Sequence, residues 1–396
     1  MKDESYVVPG FKASAVSAGL KKDGGLDMAL IYCEVEATAA GVFTTNKVKA
    51  APVLLTMKNI KAGTARAIIA NSGNANACTG ARGMSDAKDT ALVLAKEMAL
   101  NAEDVLVCST GVIGLPLDLE KVSAAVPRLV AGLSERGLEQ AARAIMTTDT
   151  FPKISYREGQ VGGKPFKMAG IAKGAGMIMP NMATMLCFIL TDVRIDRETL
   201  SNSLSWAVDR TFNRITVDGD TSTNDCVLAM ASGMAGNGPL SESDGEAFRG
   251  VLREVAEELA LMIVRDGEGA TKTVKVLVKG APDPDSALTA ARTVANSLLV
   301  KTAFYGSDPN WGRIMAALGR SGIPMEENKV DIWIDDIQIV TKGLGPGGVQ
   351  ESKAAQVMKR DNFLLMIDLN MGPYQEQMWT CDISHEYVSI NADYRT

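Results

Sequence analysis

Apolar residues recur along this 396-residue chain with two different periods. Alternating or continuous runs rich in Val, Ile and aromatic residues predict strands, and apolar residues spaced three or four apart predict helices. The predicted strands are 28–35, 67–71, 105–109, 167–171, 185–192, 273–278, 330–340, 363–369 and 378–383. The predicted helices are 86–100, 119–133, 138–146, 197–209, 243–264, 286–299 and 352–360. Several strands follow one another directly, so we expect an α/β fold with mixed sheets covered by helices.

One apolar segment, residues 174–191, carries no charged side chain. A membrane-spanning helix needs about 20 apolar residues, so the segment barely reaches that length. Gly174, Gly176 and Pro180 would break a helix there, and Asn181 and Thr184 place polar groups at its centre. We therefore expect a buried turn flanked by strands, with a threonine inside it.

The net charge of −6 indicates a mildly acidic surface, which argues against nucleic acid and anionic membranes as partners. The N-terminus lacks the basic and apolar regions of a signal peptide. Six scattered cysteines form no CxxC pair and are expected to be reduced and mostly buried. These features together predict a cytoplasmic protein.

The chain contains a single histidine, His385. Histidine is the usual general base and a frequent ligand of catalytic zinc, and no zinc-binding spacing of other residues is present. An acyl-transfer site in this chain therefore needs another base unless His385 serves as one, and we expect no metal. His385 itself is predicted to be a structural residue in a polar pair of C-terminal strands.

Thr184 offers a route to acyl transfer without histidine. A threonine at the start of a chain can use its own α-amine as base, since the α-amino pKa is about 7.7–8.0. This requires cleavage after Ala183, by attack of the Thr184 hydroxyl on the preceding carbonyl and hydrolysis of the resulting ester. An Ala-Thr pair in an apolar stretch is also common in proteins without this chemistry, so the residues alone leave a structural threonine open.

The segment Ser109-Thr110-Gly111 follows a predicted strand and could supply donors to an oxyanion. A strand that ends in this way can present backbone N–H groups and a hydroxyl to developing negative charge. The alternative from the residues alone is an ordinary strand-to-helix loop with a hydroxyl-stabilised turn.

Residues 343–348 match the dinucleotide fingerprint GxGxxG, after a predicted strand and before a helix. Asp368 stands 20 residues beyond Gly348, where the fingerprint places its acidic residue. Two features argue against cofactor binding: Pro346 lacks the N–H of a phosphate cradle, and the remaining chain is too short for further βα units. We interpret the segment as a glycine-rich connection.

Eight segments together resemble the ornithine acetyltransferase family of arginine biosynthesis, in order along essentially the whole chain. The strongest is KGAGMIMPNMATMLCFILTD at 173–192. The others are NSGNANAC at 71–78, STGVIG at 109–114, MTTDTFP at 146–152, DGDTSTNDC at 218–226, RDGEGATK at 265–272, SDPNWGR at 307–313 and INADYRT at 390–396. The resemblance implies an autoprocessing enzyme with the N-terminal-nucleophile type of fold shared with DmpA-like aminopeptidases.

The same resemblance implies roles for individual residues. Cleavage between Ala183 and Thr184 would give an N-terminal chain, 1–183, and a C-terminal chain, 184–396, that begins with the nucleophile. Thr110 and Gly111 would form the oxyanion hole. The implied substrate-binding residues are Thr150, Lys173, Thr184, Glu268, Asn391 and Thr396.

The reaction implied is transfer of the acetyl group of N2-acetyl-L-ornithine to L-glutamate through an acetyl-Thr184 ester. No cofactor or metal is implied, although bifunctional family members also use acetyl-CoA as a co-substrate. The two processed chains would remain together, as an α2β2 heterotetramer.

Two other functions remain open at this stage. A related N-terminal-nucleophile aminopeptidase would share the cleavage but hydrolyse peptides. A nucleotide-binding protein built around residues 343–348 would keep an intact chain and bind NAD.

Overall fold

The computed structural model describes residues 6–179 and 185–393. The chain divides into two compact units, each built from two segments. The first unit comprises Met1–Asn213 and Asp220–Ile263, and the second comprises Arg214–Gly219 and Val264–Thr396.

Among the described residues, the first unit contains an eight-stranded sheet and the second a six-stranded sheet. The strands of the first sheet are β1 (Phe11–Val16), β2 (Met28–Phe43), β3 (Thr64–Asn71), β4 (Val105–Ser109), β5 (Lys153–Val161), β6 (Lys164–Lys173), β7 (Leu186–Thr191) and β9 (Cys226–Ala231). Those of the second are β8 (Ile215–Thr216), β10 (Thr273–Ala281), β11 (Asp331–Ile334), β12 (Ile337–Val340), β13 (Asn362–Asp368) and β14 (Tyr374–Cys381).

Helices accompany both sheets. The first unit contains α1 (Ala51–Asn59), α2 (Gly80–Met98), α3 (Leu119–Ala131), α4 (Leu138–Ala144), α5 (Arg197–Arg210) and most of α6 (Glu242–Arg265). The second unit contains α7 (Pro284–Ala295), α8 (Leu298–Tyr305), α9 (Trp311–Gly319), α10 (Gly348–Val357) and α11 (His385–Ala392). No helix in the described part of the chain is long and apolar enough to cross a membrane.

The first sheet is mixed, in the order β4-β3-β2-β9-β7-β6-β5, with β1 paired to β2. The β3–β4 and β7–β9 pairs are parallel, whereas β2 pairs antiparallel with both β3 and β9. Strands β7 and β9 follow residue 184 in the sequence, yet they lie between β2 and β6, which precede it. Backbone hydrogen bonds therefore join the segments on either side of residue 184 along two strand pairs.

Successive side chains of a strand point to opposite faces of a sheet, and in the first sheet side chains on both faces are buried. Ile31 and Ile68 belong to a core on one face, where α4 packs, and Leu30 and Ile69 belong to a core on the other, where helices α1, α2 and α3 pack. This double burial explains the nearly continuous apolar runs of β2, β3 and β4, and it confirms the expected helix-covered mixed sheet.

The second sheet has the order β12-β11-β13-β10-β14-β8 and is also mixed. Strand β10 is parallel to β13 and antiparallel to β14. Val274, Val276 and Val278 of β10 share one core with Ala287 and Ala291 of α7. Lys275, Leu277 and Lys279 alternate with these valines and lie on the opposite face of the strand, which is only partly buried.

Several predicted elements require correction. The single strand predicted at 330–340 is the hairpin β11–β12, which turns at Asp335, a residue with φ of +50°. The helix predicted at 286–299 ends at Ala295, and α8 begins at Leu298. His385 was wrongly expected in a strand, since it is the first residue of α11, whose N-cap Ser384 accepts a hydrogen bond from the Glu386 N–H.

All six cysteines are free thiols in the described structure. Five of them are buried and Cys78 is exposed, which agrees with the expectation from the sequence.

Candidate active site

The end of β4 presents the predicted oxyanion loop. Thr110 follows the last strand residue, and its backbone N–H donates to the Asn71 carbonyl at 2.9 Å. This N–H is therefore used within the fold, so the group that Thr110 can offer to a ligand is its hydroxyl. Gly111 has a φ of +130°, a conformation that L-residues with a side chain rarely adopt.

Buried asparagines hold the oxyanion loop against the segment 71–78. The Asn71 side chain donates to the Asn74 carbonyl at 2.8 Å and accepts from the Ser109 hydroxyl at 2.6 Å. Asn224 donates from one side-chain nitrogen to the carbonyls of Ala75 at 2.6 Å and Ser109 at 2.8 Å. These buried hydrogen bonds fix the peptide groups next to Thr110, because breaking one would leave a polar group unsatisfied.

Lys173 is the last residue of β6 and is only 4% exposed. Its ammonium donates to the Thr147 hydroxyl at 2.8 Å and to the Thr110 hydroxyl at 3.3 Å. The structure thus brings together two of the predicted site residues, Thr110 and Lys173. It adds Thr147, which the sequence did not single out.

Asp149 organises the charges beside Lys173. Its carboxylate accepts from Lys153 Nζ at 2.7 Å, from the Gly174 N–H at 2.7 Å and from the Thr147 N–H at 2.9 Å. The side chains of Asp149 and Lys153 are both 0% exposed. Burial alone would raise the pKa of Asp149, but the positive charges of Lys173 and Lys153 and the Gly174 N–H lower it to about 2. Asp149 is therefore a carboxylate throughout the physiological pH range.

The segment from Gly174 to Met179 leads away from this cluster. Strand β6 pairs with β7 antiparallel, with Lys173 opposite Leu186, so strands flank the charge-free segment as expected. The Met179 carbonyl accepts from the Thr221 hydroxyl at 3.2 Å, and the Met185 carbonyl accepts from the Cys226 N–H at 3.1 Å. The cleavage position, Ala183 and Thr184, lies outside the described residues.

The second unit brings Glu268 and Asn391 together. Glu268 is 7% exposed, and its carboxylate accepts from the Asn391 side chain at 2.7 Å. The Gly269 carbonyl accepts from the Ser384 hydroxyl at 2.6 Å, which holds the start of α11 against the glycine turn. Asn391 stands near the end of this helix. The fold therefore joins two predicted substrate-binding residues that are far apart in sequence.

The remaining predicted positions are not joined to the other site residues by a contact described here. Thr150 directly follows Asp149 and is exposed. Thr396 lies outside the described residues. His385 makes an edge contact with the ring of Tyr305, at 5.9 Å between ring centroids, so it packs as a structural residue on an exposed helix. Within the described ranges no group of three or more His, Cys, Asp or Glu side chains could hold a metal.

The glycine-rich segment 343–348 connects β12 to α10 and does not open a dinucleotide-binding unit. Strand β12 pairs antiparallel with β11, whereas the fingerprint requires a parallel βαβ unit. Gly345 lies against the indole of Trp311, where an added Cβ would stand 2.8 Å from the ring. Glu351 accepts from the indole N–H at 3.1 Å. The glycine at 345 thus serves packing.

Sequence reasoning missed Thr147, Asp149, Lys153 and Asn224. Asp149 and Thr147 fall inside the segment MTTDTFP, which carried the resemblance, but only Thr150 was singled out there. Lys153 offered one signal, a lysine four residues after an aspartate, at the start of β5. Asn224 also falls inside a segment that carried the resemblance, DGDTSTNDC, but nothing in the sequence signals its contacts, which join residues 115 and 149 positions away.

The model of the ArgJ family matches residues 12–396. The arginine biosynthesis bifunctional protein ArgJ of Geobacter sulfurreducens is 53% identical over 391 residues, which are 98% of this chain and 100% of that protein. The protein of the same name from Pseudomonas fluorescens is 44% identical over 395 residues, which are 99% of this chain and 97% of that protein.

Two solved structures are also similar. The crystal structure of arginine biosynthesis bifunctional protein ArgJ from Bacillus halodurans is 42% identical, with a TM-score of 0.49, over 51% of this chain and 95% of that chain. The structure of ornithine acetyltransferase complexed with ornithine from Mycobacterium tuberculosis is 38% identical, with a TM-score of 0.40, over 45% of this chain and 94% of that chain.

Proposed function

Because this chain belongs to the ArgJ family, we propose that it transfers the acetyl group of N2-acetyl-L-ornithine to L-glutamate in arginine biosynthesis. It is an enzyme, a glutamate N-acetyltransferase. The observation that best supports the chemistry is the pairing of the Lys173 ammonium with the Thr110 hydroxyl beside Gly111, which presents polarised donors at one sheet end. Such donors, aimed where negative charge develops, typically contribute about 10²–10³ in rate.

The nucleophile of this mechanism is Thr184, freed by cleavage after Ala183. The Thr184 hydroxyl attacks the Ala183 carbonyl and forms an ester as the peptide C–N bond breaks, and water then hydrolyses the ester. The products are the chains 1–183 and 184–396. The pairing of β7 with β6 and of β9 with β2 supports this division, because it would hold the two chains in one sheet after cleavage.

Acetyl transfer then proceeds in two steps. The α-amine of Thr184 takes the hydroxyl proton while the oxygen attacks the acetyl carbonyl, and the oxyanion is stabilised by the Thr110 hydroxyl and the Gly111 N–H. Collapse breaks the amide bond, ornithine leaves with the proton on its α-amine, and acetyl-Thr184 remains. The α-amine of glutamate attacks this ester, and Thr184 recovers its proton.

Charged and amide side chains supply recognition of the amino acids. Lys173 provides a cation for a substrate carboxylate, and the Glu268 carboxylate and Thr396 provide acceptors for an ammonium. Asn391, held by Glu268 at 2.7 Å, can both donate and accept. Thr150 and Thr184 complete the substrate-binding set.

The second acetyl donor, the assembly and the cellular location belong to the same proposal. The relatives are named bifunctional, so acetyl-CoA is proposed as a second acetyl donor, with no bound cofactor or metal. The processed chains assemble as an α2β2 heterotetramer in the cytoplasm, and the other partners are small molecules only.

The test is a transfer assay with N2-acetyl-L-ornithine and L-glutamate, followed by mass spectrometry of N-acetylglutamate and by measurement of free acetate. We expect stoichiometric ornithine and N-acetylglutamate, little acetate, and no product with Thr184→Ala. Release of acetate faster than formation of N-acetylglutamate, or hydrolysis of peptides, would instead assign the chain to the aminopeptidases.

A further inference from the structure

The Lys173 ammonium has surroundings that are unusual for a group that only binds a substrate carboxylate. It donates to two threonine hydroxyls of the protein, Thr147 at 2.8 Å and Thr110 at 3.3 Å. Lys173 is also 4% exposed, at the end of a strand buried along its last six residues. Its position is thus fixed by the fold before a substrate arrives.

In the hydrogen bond between Lys173 and Thr110, only the ammonium can be the donor. The hydroxyl oxygen of Thr110 accepts from the ammonium, so the hydroxyl proton points elsewhere and can be donated. A hydroxyl whose oxygen accepts a charge-assisted hydrogen bond becomes a stronger donor, because successive hydrogen bonds polarise one another. The Thr110 backbone N–H is already bound to Asn71. The hydroxyl is therefore the only N–H or O–H proton of Thr110 that can reach an oxyanion.

The ammonium beside Thr110 favours an anion. The buried Asp149 carboxylate accepts from Lys153 Nζ at 2.7 Å and also interacts with the positive charge of Lys173. Because the Lys173 ammonium lies within hydrogen-bond distance of the Thr110 hydroxyl, its charge stabilises negative charge that develops on a group bound by that hydroxyl.

Resting on the proposed acetyl transfer, we propose that Lys173 is a positioning residue that polarises the Thr110 hydroxyl of the oxyanion hole, in addition to any contact with a substrate carboxylate. Asp149 and Thr147 hold Lys173 in this role, through the Gly174 N–H next to it and through the 2.8 Å hydroxyl contact. The role predicts that Lys173 matters for every acyl donor, whether or not the donor carries a carboxylate.

An uncharged ester separates the two roles. 4-Nitrophenyl acetate has neither carboxylate nor ammonium, and its reaction with Thr184 releases 4-nitrophenol as the acetyl ester forms. The rate of this burst is measured for the wild type, Lys173→Met, Thr110→Ala and the double variant, with Thr184→Ala as blank. Intact mass of the 184–396 chain verifies that one acetyl group is added there.

We expect Lys173→Met to slow the burst by about 10–100-fold, somewhat less than loss of a direct oxyanion donor. In the Thr110→Ala background the same change should cost less than about threefold, because the hydroxyl it acts through is gone. Thr110→Ser, which keeps a hydroxyl, should lose far less than Thr110→Ala and restore the sensitivity to Lys173→Met. Lys164→Met, at the exposed other end of β6, should leave the burst unchanged.

Equal burst rates for Lys173→Met and the wild type would overturn the proposal and leave Lys173 as a carboxylate ligand only. Fully multiplicative effects in the double variant would also overturn it. If Lys173→Met does not self-process, Thr147→Val is compared with Thr147→Ser, since only the valine removes the hydroxyl that holds Lys173. A slower burst for valine alone supports the proposal, and equal bursts contradict it.

Acetyl transfer by the wild type separates failure of the role of Lys173 from failure of the proposed function. A wild type that makes no N-acetylglutamate from N2-acetylornithine refutes the function whatever the ester shows. A wild type that transfers acetyl normally, together with an insensitive ester reaction in Lys173→Met, refutes only the role of Lys173.

Discussion

Gly111 packs directly against the backbone of Gly73, so that a Cβ added to Gly111 would stand 2.4 Å from the Gly73 carbonyl carbon. The φ of Gly111, +130°, is equally unsuited to a side chain. Two glycines in separate segments, 71–78 and 109–114, therefore meet where the oxyanion loop is shaped. This contact joins the two segments at the oxyanion loop.

Gly111→Ala should abolish the loop geometry and lower acetyl transfer by about 10²–10³, the cost of losing one oxyanion donor. Gly114→Ala is the matched control. It also has a positive φ, +89°, but nothing lies within 4 Å of its added Cβ. It should cost about 1 kcal/mol of stability with little loss of activity. Steady-state kinetics and thermal unfolding of both variants check this, and similar activities for the two would refute the role of the contact.

The Asp149–Lys153 pair should be highly sensitive to loss of one partner. Asp149→Asn leaves the Lys153 ammonium buried without its carboxylate and should lower the free energy of unfolding by about 3–5 kcal/mol. Asp149→Asn with Lys153→Met removes both charges and should recover much of that loss. The exposed pair Glu139–Arg143 has the same separation of four residues and a nitrogen–oxygen distance of 2.8 Å. Glu139→Gln should lower the free energy of unfolding by less than about 1 kcal/mol. If urea unfolding gives equal losses of unfolding free energy for Asp149→Asn and Glu139→Gln, this prediction is wrong.

The lowered pKa of Asp149 also predicts an acid dependence of stability. Lys173 and Lys153 outweigh the effect of burial and lower this pKa from its ordinary value of 3.8 to about 2. The folded state therefore binds this proton more weakly than the unfolded state. The resulting stabilisation, about 2 kcal/mol, is fully present above about pH 5 and is lost as the pH falls toward 2.

Urea unfolding between pH 5 and pH 3 measures this dependence. The wild type should lose more stability across the range than the variant that combines Asp149→Asn with Lys153→Met, because that variant lacks the titrating carboxyl. Parallel curves for the two proteins would show that Asp149 is not held at a low pKa.

Glu268→Gln should affect recognition of the substrate rather than folding. The amide oxygen of glutamine can still accept from Asn391, but the negative charge for an ammonium is lost. We expect the KM for N2-acetylornithine to rise about 10–100-fold, the worth of a charged hydrogen bond, with an unchanged thermal midpoint. Glu386→Gln, on the exposed first turn of α11, is the control. A KM that rises equally in both variants would argue against a specific role of Glu268.

The sequence predicted many of the apolar strands, including β4 and β7, but it missed β1, β5 and β9. Strand β9 is short and buried at every residue, so no alternation marks it as a strand. Strand β5 carries Arg157, which pairs with Glu258 of α6 at 3.0 Å, so its apolar pattern is interrupted where the structure supplies charge pairing. Helix α11 has no buried residue and therefore no apolar stripe to detect. Strand β5 and helix α11 are thus held by contacts that apolar periodicity does not report.

In the site, too, some residues could be identified from the sequence and others could not. Thr110, Lys173, Glu268 and Asn391 were identified through the family resemblance, and the fold pairs Thr110 with Lys173 and Glu268 with Asn391. The buried supports could not be predicted from the sequence. Asn224, for example, acts through carbonyls far away in the chain, and only the folded sheet brings them within reach.

Thr184 is proposed to become an N-terminal nucleophile and to carry the acetyl group. Intact-mass spectrometry of the purified protein, before and after addition of N2-acetyl-L-ornithine, tests this role. We predict two chains that correspond to 1–183 and 184–396, a gain of one acetyl group on the second chain alone, and loss of that group when glutamate is added. An uncut chain that is active, or a processed enzyme that transfers acetyl without acetylation of the 184–396 chain, would contradict the account.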